Sequence, residues 1–408
     1  MKKICVLLPV LLMAVCACDD ISKEQVKPGK PDKPDVPDKE EVVYHERAMS
    51  QFGMINRLYR VSVGNTSGLY NENYPKGSGD GAASYLWPYD GLMSGVATLY
   101  ELGYDVNYAE LIDQFEKYWS SDGRLGVGAY SSGTDGSSGY GDRFFDDNSI
   151  VGLDLVEAYR LTGDRKFLDR AKRIISFLKK GEDSVFGGGL WWNESLINVS
   201  GNVDSNKPAC ANGFATLFLL KYYEVCPASE KSDVLDFAKR LYSWLTENLR
   251  DPEDALYWND RQAGGSIRKD KWTYNSGAMI SNGVLLAKYT GEQSYLDQAK
   301  ETAMHSYDYF VRPVAPLALA YPDHDPWFTV KLINSYIDIE PYMPAASGYI
   351  TTFMNNLDYA WEHSRTPAGL FYEGWAGNPG RASSLLQQDA ALEALGRMAL
   401  YKKEVMEN

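Results

Sequence analysis

Beyond about residue 42, apolar residues recur every three to four positions in segment after segment, the period of an α-helix with one buried stripe. The stretch "RKFLDRAKRIISFLKK" is the clearest case. Phe167, Leu168, Ala171, Ile174, Ile175 and Leu178 share one face, and Lys and Arg occupy the other. Similar charged, amphipathic helices are predicted near 46–63, 106–119, 229–249, 292–310 and 348–363. Between them lie segments that are small and apolar on more than one face, such as "PACANGFATLFLLKYYEV" and "NSGAMISNGVLLAKYTG". These predict helices near 90–102, 147–161, 208–225, 275–289, 327–339 and 383–401, buried on most sides. The two classes alternate, and the joins echo one another in "LTGDRKFLDRAKRI" and "YTGEQSYLDQAKET", as in a repeated helical hairpin. The pattern predicts an all-α fold, an (α/α)6 barrel of six helical hairpins. An open superhelix is the alternative, but the inner class is too apolar to line a solvent-washed concave face. No segment reads as a β-hairpin.

Before this domain the pattern changes. Lys2 and Lys3 precede an apolar run, Ile4 to Val15, too short to span a bilayer, and Ala17-Cys18 resembles a bacterial lipobox. Residues 1–17 therefore read as a lipoprotein signal peptide with Cys18 as the lipidated residue. Asp19 and Asp20 resemble the acidic sorting stretch of Bacteroidetes surface lipoproteins. The expected location is the cell envelope, lipid-anchored to the outer membrane and facing the surface or the periplasm. Residues 18–41 alternate Pro, Lys and Asp with almost nothing apolar and read as an extended linker. No second linker of this kind follows, so 42–408 is taken as one domain, expected to be monomeric. Outside the leader and anchor only Cys210 and Cys226 remain, bracketing one predicted helix. About 24 Å apart at 1.5 Å per residue, they cannot form a disulfide, and they read as reduced core fillers. The net charge of −14, with no basic face, argues against nucleic-acid binding.

If the inner helices run parallel around a barrel, their N-termini share one rim. That rim collects "YLWPYDG", "RFFDDNS", "GGGLWWNES", "ACANG", "KWTYNSG" and "YEGWAGNPG". Seven tryptophans fall in these loops or in others (Trp87, Trp191, Trp192, Trp258, Trp272, Trp327 and Trp375), while Trp119, Trp244 and Trp361 sit in outer-class helices. Aromatic rings among Asp, Asn and Gly suit a carbohydrate, whose apolar face stacks while its hydroxyls take hydrogen bonds. Each ring taken alone packs equally well beneath its loop. Asp146 and Asp147 stand at one of these helix starts, where Asp commonly serves as an N-cap or first-turn residue. In a sugar site the pair reads differently, because glycoside hydrolysis uses two carboxyl groups. Two carboxyls this close cannot easily ionise together, and Phe144 and Phe145 add desolvation in the same direction. His45, His305, His324 and His363 lack zinc-type spacing, and no nucleophile elbow or phosphate-binding glycine loop appears.

The blocks "FFDDNSIVGLDLVEAYRLTGDRKFLDRA", "GGGLWWNES…KPACANGFATLFLLKYY" and "WTYNSGAMISNGVLLAKYTGEQSYLDQA" resemble glycoside hydrolase family 76, the endo-α-1,6-mannanases, over nearly all of 45–402. The resemblance implies an (α/α)6 barrel, a retaining mechanism, no cofactor or metal, and cleavage of the α-1,6-linked mannan backbone. It implies Asp146 as nucleophile and Asp147 as acid/base, with Asn193, Asn212, Asp260, Tyr274 and Asn275 lining the cleft. The rim loops add Trp87, Asp90, Trp191 and Trp192 as candidate sugar contacts. The block "PVAPLALAYPDHDPWFTVK" near 313–331 departs from the family pattern, which bears on distal subsites. Competing readings are a non-catalytic glycan-capture lipoprotein, which would have no need of the acid pair, and another (α/α)6 enzyme such as an unsaturated-uronide hydrolase or an epimerase.

Overall fold

The computed structural model describes residues 39–407 apart from 122, 135–140, 324 and 377–378. The leader, Cys18 and most of the expected linker lie outside the described residues, as does His324. The first six helices are α1 (Lys39–Tyr59), α2 (Leu86–Glu101), α3 (Tyr108–Asp113, extended by a 3-10 turn Gln114–Tyr118), α4 (Phe145–Thr162), α5 (Arg165–Gly181) and α6 (Ala209–Val225). Then follow α7 (Ala228–Leu249), α8 (Thr273–Thr290), α9 (Gln293–Phe310), α10 (Pro326–Ile339), α11 (Ala346–His363) and α12 (Leu385–Glu407). Helix α1 thus begins at Lys39, ahead of the start predicted near 46.

The even-numbered helices form a closed ring. Each packs on the next, and α12 returns to α2. The odd-numbered helices form the outer layer, with α5 on α4, α7 on α6, α9 on α8, α11 on α10, and α1 on α12. The predicted alternation is therefore a double ring, not an open superhelix. Six helices crowd the inner ring only because their contact residues are small. A Cβ on Gly277 would lie 2.9 Å from Leu332 Cα, and one on Gly95 would lie 2.8 Å from the Leu392 side chain. The echoed joins have a common cause: Gly163 and Gly291 end α4 and α8 at φ 71° and 76°, a left-handed cap that glycine adopts without strain. The next helix then starts at once, with Asp164 capping the Lys166 amide of α5 at 3.0 Å.

The expectation of no hairpin is corrected. Among the described residues three short antiparallel sheets occur, the largest a ribbon of Asn206–Pro208, Trp258–Gln262 and Ile267–Lys271. Its strands "WNDRQ" and "IRKDK" carry no alternating apolar face, since the ribbon rides on the rim rather than on a core. The outer helix expected over 106–119 is also broken: Trp119 lies in a two-residue strand paired with Tyr130.

Candidate active site

A cleft of about 910 Å³ opens at the N-termini of the inner helices. All six contribute: Trp87 from α2, Asp146 and Asp147 from α4, Cys210 from α6, Tyr274 from α8, Trp327 from α10 and Leu386 from α12. Parallel inner helices point their unsatisfied backbone N–H groups and positive dipole ends at one place, which favours negative charge there.

The acid pair sits in the first turn of α4. Phe144, extended at φ −98°, ψ 142°, is the N-cap residue, and neither aspartate caps the helix from outside it. Of the two roles open to Asp at a helix start, N-cap or first turn, both aspartates take the second. The start of α4 is pinned by a bridge from Phe144 to Asn193 and by Phe145 N–H donating to the Trp192 carbonyl at 2.9 Å. Beneath this strap, Arg143 makes a two-pronged pair with Glu194, both nitrogens at 2.6 Å from a carboxylate oxygen and both residues buried.

The two carboxyls have opposite surroundings. Asp146 Oδ2 accepts from Trp192 Nε1 at 3.0 Å and from the Cys210 thiol at 3.1 Å, while Oδ1 accepts from the Asp147 amide at 3.0 Å. Burial pushes its pKa up, and these donors pull it back. Burial, and then the charge of Asp146, push Asp147 well above the usual carboxylate range with no such donor to oppose them. The thiol of Cys210 is itself raised by burial and then by Asp146, so it remains a donor. Asp146 is thus raised less than its neighbour and is the readier of the two to ionise, while Asp147 is prepared to hold a proton.

The walls are aromatic. Tyr274 stacks on Phe328 with centroids 4.0 Å apart and 21° between planes, and Trp87 stacks on the same ring at 5.9 Å and 14°. Trp192 closes the side above Asp146, its ring 5.0 Å from Phe144. Asp260 enters from the rim ribbon, opposite Arg268 in register and paired to its Nε at 2.6 Å.

Of the residues expected to touch substrate, Trp87, Trp192, Asp260 and Tyr274 line the cleft with the acid pair. Five do not. Trp191 is buried beneath the loop, its Nε1 bonded to Asp183 and its ring under the Lys207 ammonium, because neighbouring residues of an extended segment face opposite ways. The Asn193 oxygen accepts from Ser195, and Asn212 ties Leu190 and Pro208 to α6 with both its amide atoms. Asn275 is buried inside the ring behind Tyr274, and Asp90 lies a helical turn below Trp87. The other four loop tryptophans divide likewise: Trp327 lines the cleft, while Trp258 donates to Asp251, Trp272 meets the Phe328 ring edge-on and Trp375 packs on Phe353 and Phe371. Cys210, expected to be a filler, is instead a partner of Asp146. Phe328, read only as part of a helix start, is the ring that Trp87 and Tyr274 share. Among the described residues no group of three or more His, Cys, Asp or Glu is placed to hold a metal ion.

Solved structures share this architecture. The family 76 glycoside hydrolase (mannosidase) Bt3792 from Bacteroides thetaiotaomicron superposes with a TM-score of 0.76 at 24% identity, covering 89% of this chain and 100% of that one. The α-1,6-mannanase GH76A from Salegentibacter sp. HEL1_6 gives 0.69 at 23%, covering 88% and 99%. An inactive variant of that enzyme, with two consecutive aspartates changed to asparagine, is in complex with α-1,6-mannotriose and gives 0.68 at 22%, covering 88% and 99%. No curated protein sequence matches the chain. Residues 44–321, more than half of the chain, match the profile of glycosyl hydrolase family 76, and the chain belongs to that family.

Proposed function

We propose that this protein is a retaining endo-acting glycoside hydrolase that cleaves α-1,6-mannosidic bonds within a mannan backbone, with Asp146 as nucleophile and Asp147 as acid/base. The observation that carries it is the asymmetry of the acid pair, three donors on Asp146 and none on Asp147, on the floor of an aromatic-walled cleft. Substrate class follows from family membership and from the α-1,6-mannotriose bound by the Salegentibacter relative. In the first step Asp146 attacks the anomeric carbon, the glycosidic bond breaks, and its oxygen leaves with the Asp147 proton. In the second, Asp147 takes a proton from water, the hydroxide attacks the same carbon, and the ester to Asp146 breaks. Cα atoms of adjacent residues lie about 3.8 Å apart, which suits the roughly 5–5.5 Å carboxyl separation of retaining enzymes better than the wider inverting gap. The leader and Cys18 support a lipid-anchored protein of the outer membrane, acting on mannan oligosaccharide or polysaccharide as a monomer without cofactor.

The test is product analysis after incubating lipid-free protein with linear α-1,6-mannan. A ladder of shrinking oligosaccharides is the endo outcome, and mannose alone is the exo outcome. Saturable binding without any product would make it a capture protein instead.

A further inference from the structure

Below the cleft floor the barrel is not apolar. Ile150 and Phe214 separate the cleft from a second cavity of about 390 Å³ on the barrel axis. Its walls carry a continuous polar chain. Glu393 of α12 holds Lys331 of α10 at 2.7 Å, and Asn334 donates to its other oxygen at 2.9 Å. Lys331 Nζ reaches Ser94 Oγ at 3.4 Å, and Ser94 donates to Asp154 Oδ1 at 3.1 Å. Asp154 in turn faces the buried carboxyl of Asp90 within hydrogen-bonding reach. Neither Asp90 oxygen meets an N–H or O–H donor, and Asp154 Oδ2 meets none. Two carboxyls in such contact share one proton. The chain ends under the acid pair, because Asp154 is two helical turns from Asp147 on the same face of α4 and Asp90 is one turn below Trp87.

We propose that the Asp90–Asp154 pair is a positioning pair, whose shared negative charge, only partly offset by Lys331, keeps the proton on Asp147 until the glycosidic oxygen takes it. This rests on the reading of Asp147 as the acid. The charge count supports it: five acids (Asp154, Glu157, Glu224, Asp338 and Glu393) and four bases (Arg160, Lys221, Lys331 and Arg397) line the cavity, so it is negative overall once Asp154 is ionised. Burial and the neighbouring Asp154 charge keep Asp90 neutral, and Asp154 itself is pushed up to about 7. Other titratable groups on the inner helices near the floor are Asp146, Cys210 on α6, Tyr274 on α8 and Asp389 on α12. At the far mouth of the cavity Arg160 is already paired with Glu157 at 2.6 Å, so it does not neutralise the network. A charge about 10 Å away in a protein interior moves a carboxyl pKa by about one unit.

The experiment is a pair of titrations on three variants. Asp90→Asn still donates to Asp154 and leaves the charge in place, so its alkaline limb stays where the wild type has it. The double variant Asp90→Asn/Asp154→Asn removes the charge, and Glu393→Gln leaves Lys331 to cancel it. In both, the alkaline limb of kcat/KM moves about one pH unit lower while KM holds. The ¹³C carboxyl resonance of Asp147, identified by its loss in Asp147→Asn, titrates lower by the same amount. Activity that drops at all pH values with the limb and the resonance unmoved overturns the proposal and makes the network a packing feature. The resonance reports whether or not mannan is cleaved, so an inactive wild-type protein would sink the enzymatic reading separately.

Discussion

The Cys210 thiol of α6 lies 3.1 Å from Asp146 Oδ2 of α4, so two neighbouring inner helices are joined at the carboxylate proposed to attack the sugar. Cys210→Ala removes a donor that favours the ionised form. The acidic limb of kcat/KM then moves to higher pH, and kcat falls about tenfold, the size of one hydrogen bond to a charged group. Cys210→Ser, which keeps a donor, retains most of the activity. A pH profile unchanged in Cys210→Ala would show that Trp192 Nε1 and the Asp147 amide suffice.

The roles of the aspartates separate with an activated α-mannoside and azide. Asp147→Ala still forms the covalent intermediate and yields the α-azide. Asp146→Ala, with azide in place of the nucleophile, yields the β-azide. Wild-type enzyme releases the α-anomer, read by NMR before mutarotation, and a β-anomer would refute retention.

Tyr274→Ala and Trp192→Ala are expected to weaken glycan binding without unfolding the protein. Both rings line the cleft, and the Tyr274 ring rests on Phe328. Stacking of bases on protein rings is worth about 1–3 kcal/mol, and a similar order for a sugar face raises the Kd by about tenfold or more. Calorimetric titration with α-1,6-mannotriose measures it. A collapse of the melting temperature with affinity intact would make these rings core.

Glu194→Ala should be among the most destabilising single changes on the rim. It leaves Arg143 buried and unpaired and frees the Leu125 amide, which Glu194 accepts at 2.7 Å. Breaking a buried pair from one side costs about 3–5 kcal/mol, readable as a lower urea midpoint.

Asp389 of α12 is fully buried, with neither oxygen partnered, and burial followed by Glu72 and Glu393 raises its pKa well above the usual range. A carboxyl that holds its proton in the native state and loses it on unfolding makes stability fall as pH rises from the unfolded carboxylate range toward the native value. Asp389→Asn is therefore expected to raise the melting temperature at pH 7 and to change it little at pH 4. Equal effects at both pH values would show that the carboxyl is not the cause.

The double ring was legible because burial gives the outer helices one apolar stripe and leaves the inner ones apolar on most sides, in alternation, and the acid pair because it adjoins two phenylalanines at a helix start. The directions of loop side chains were not. Trp191 and Trp192 are adjacent, yet one packs on Lys207 and the other bonds Asp146, a choice made by backbone bridges to distant strands. Asn193 and Asn212 look like sugar ligands in sequence, but the same amides serve equally to tie a loop down. Cys210 carried no signal, since a thiol facing a carboxylate reads like any small apolar residue. The rim ribbon stayed hidden because both of its long strands are polar on each face.

Closure of the ring has a consequence for how the molecule is made. The outer helix α1 packs on α12, and Gln51 bonds Gln388 across 337 positions of chain. Helices α1 and α2 leave the ribosome early, yet both lack a wall until α12 arrives. Local hairpins can form as they emerge, but the step that completes the native state is the docking of α12 against α2, which joins distant parts of the chain and is slow for that reason. Until that step the half-ring exposes the small, apolar faces that later become its interior. A chain cut before Leu385 would keep five of its inner helices and still have no finished floor beneath the acid pair.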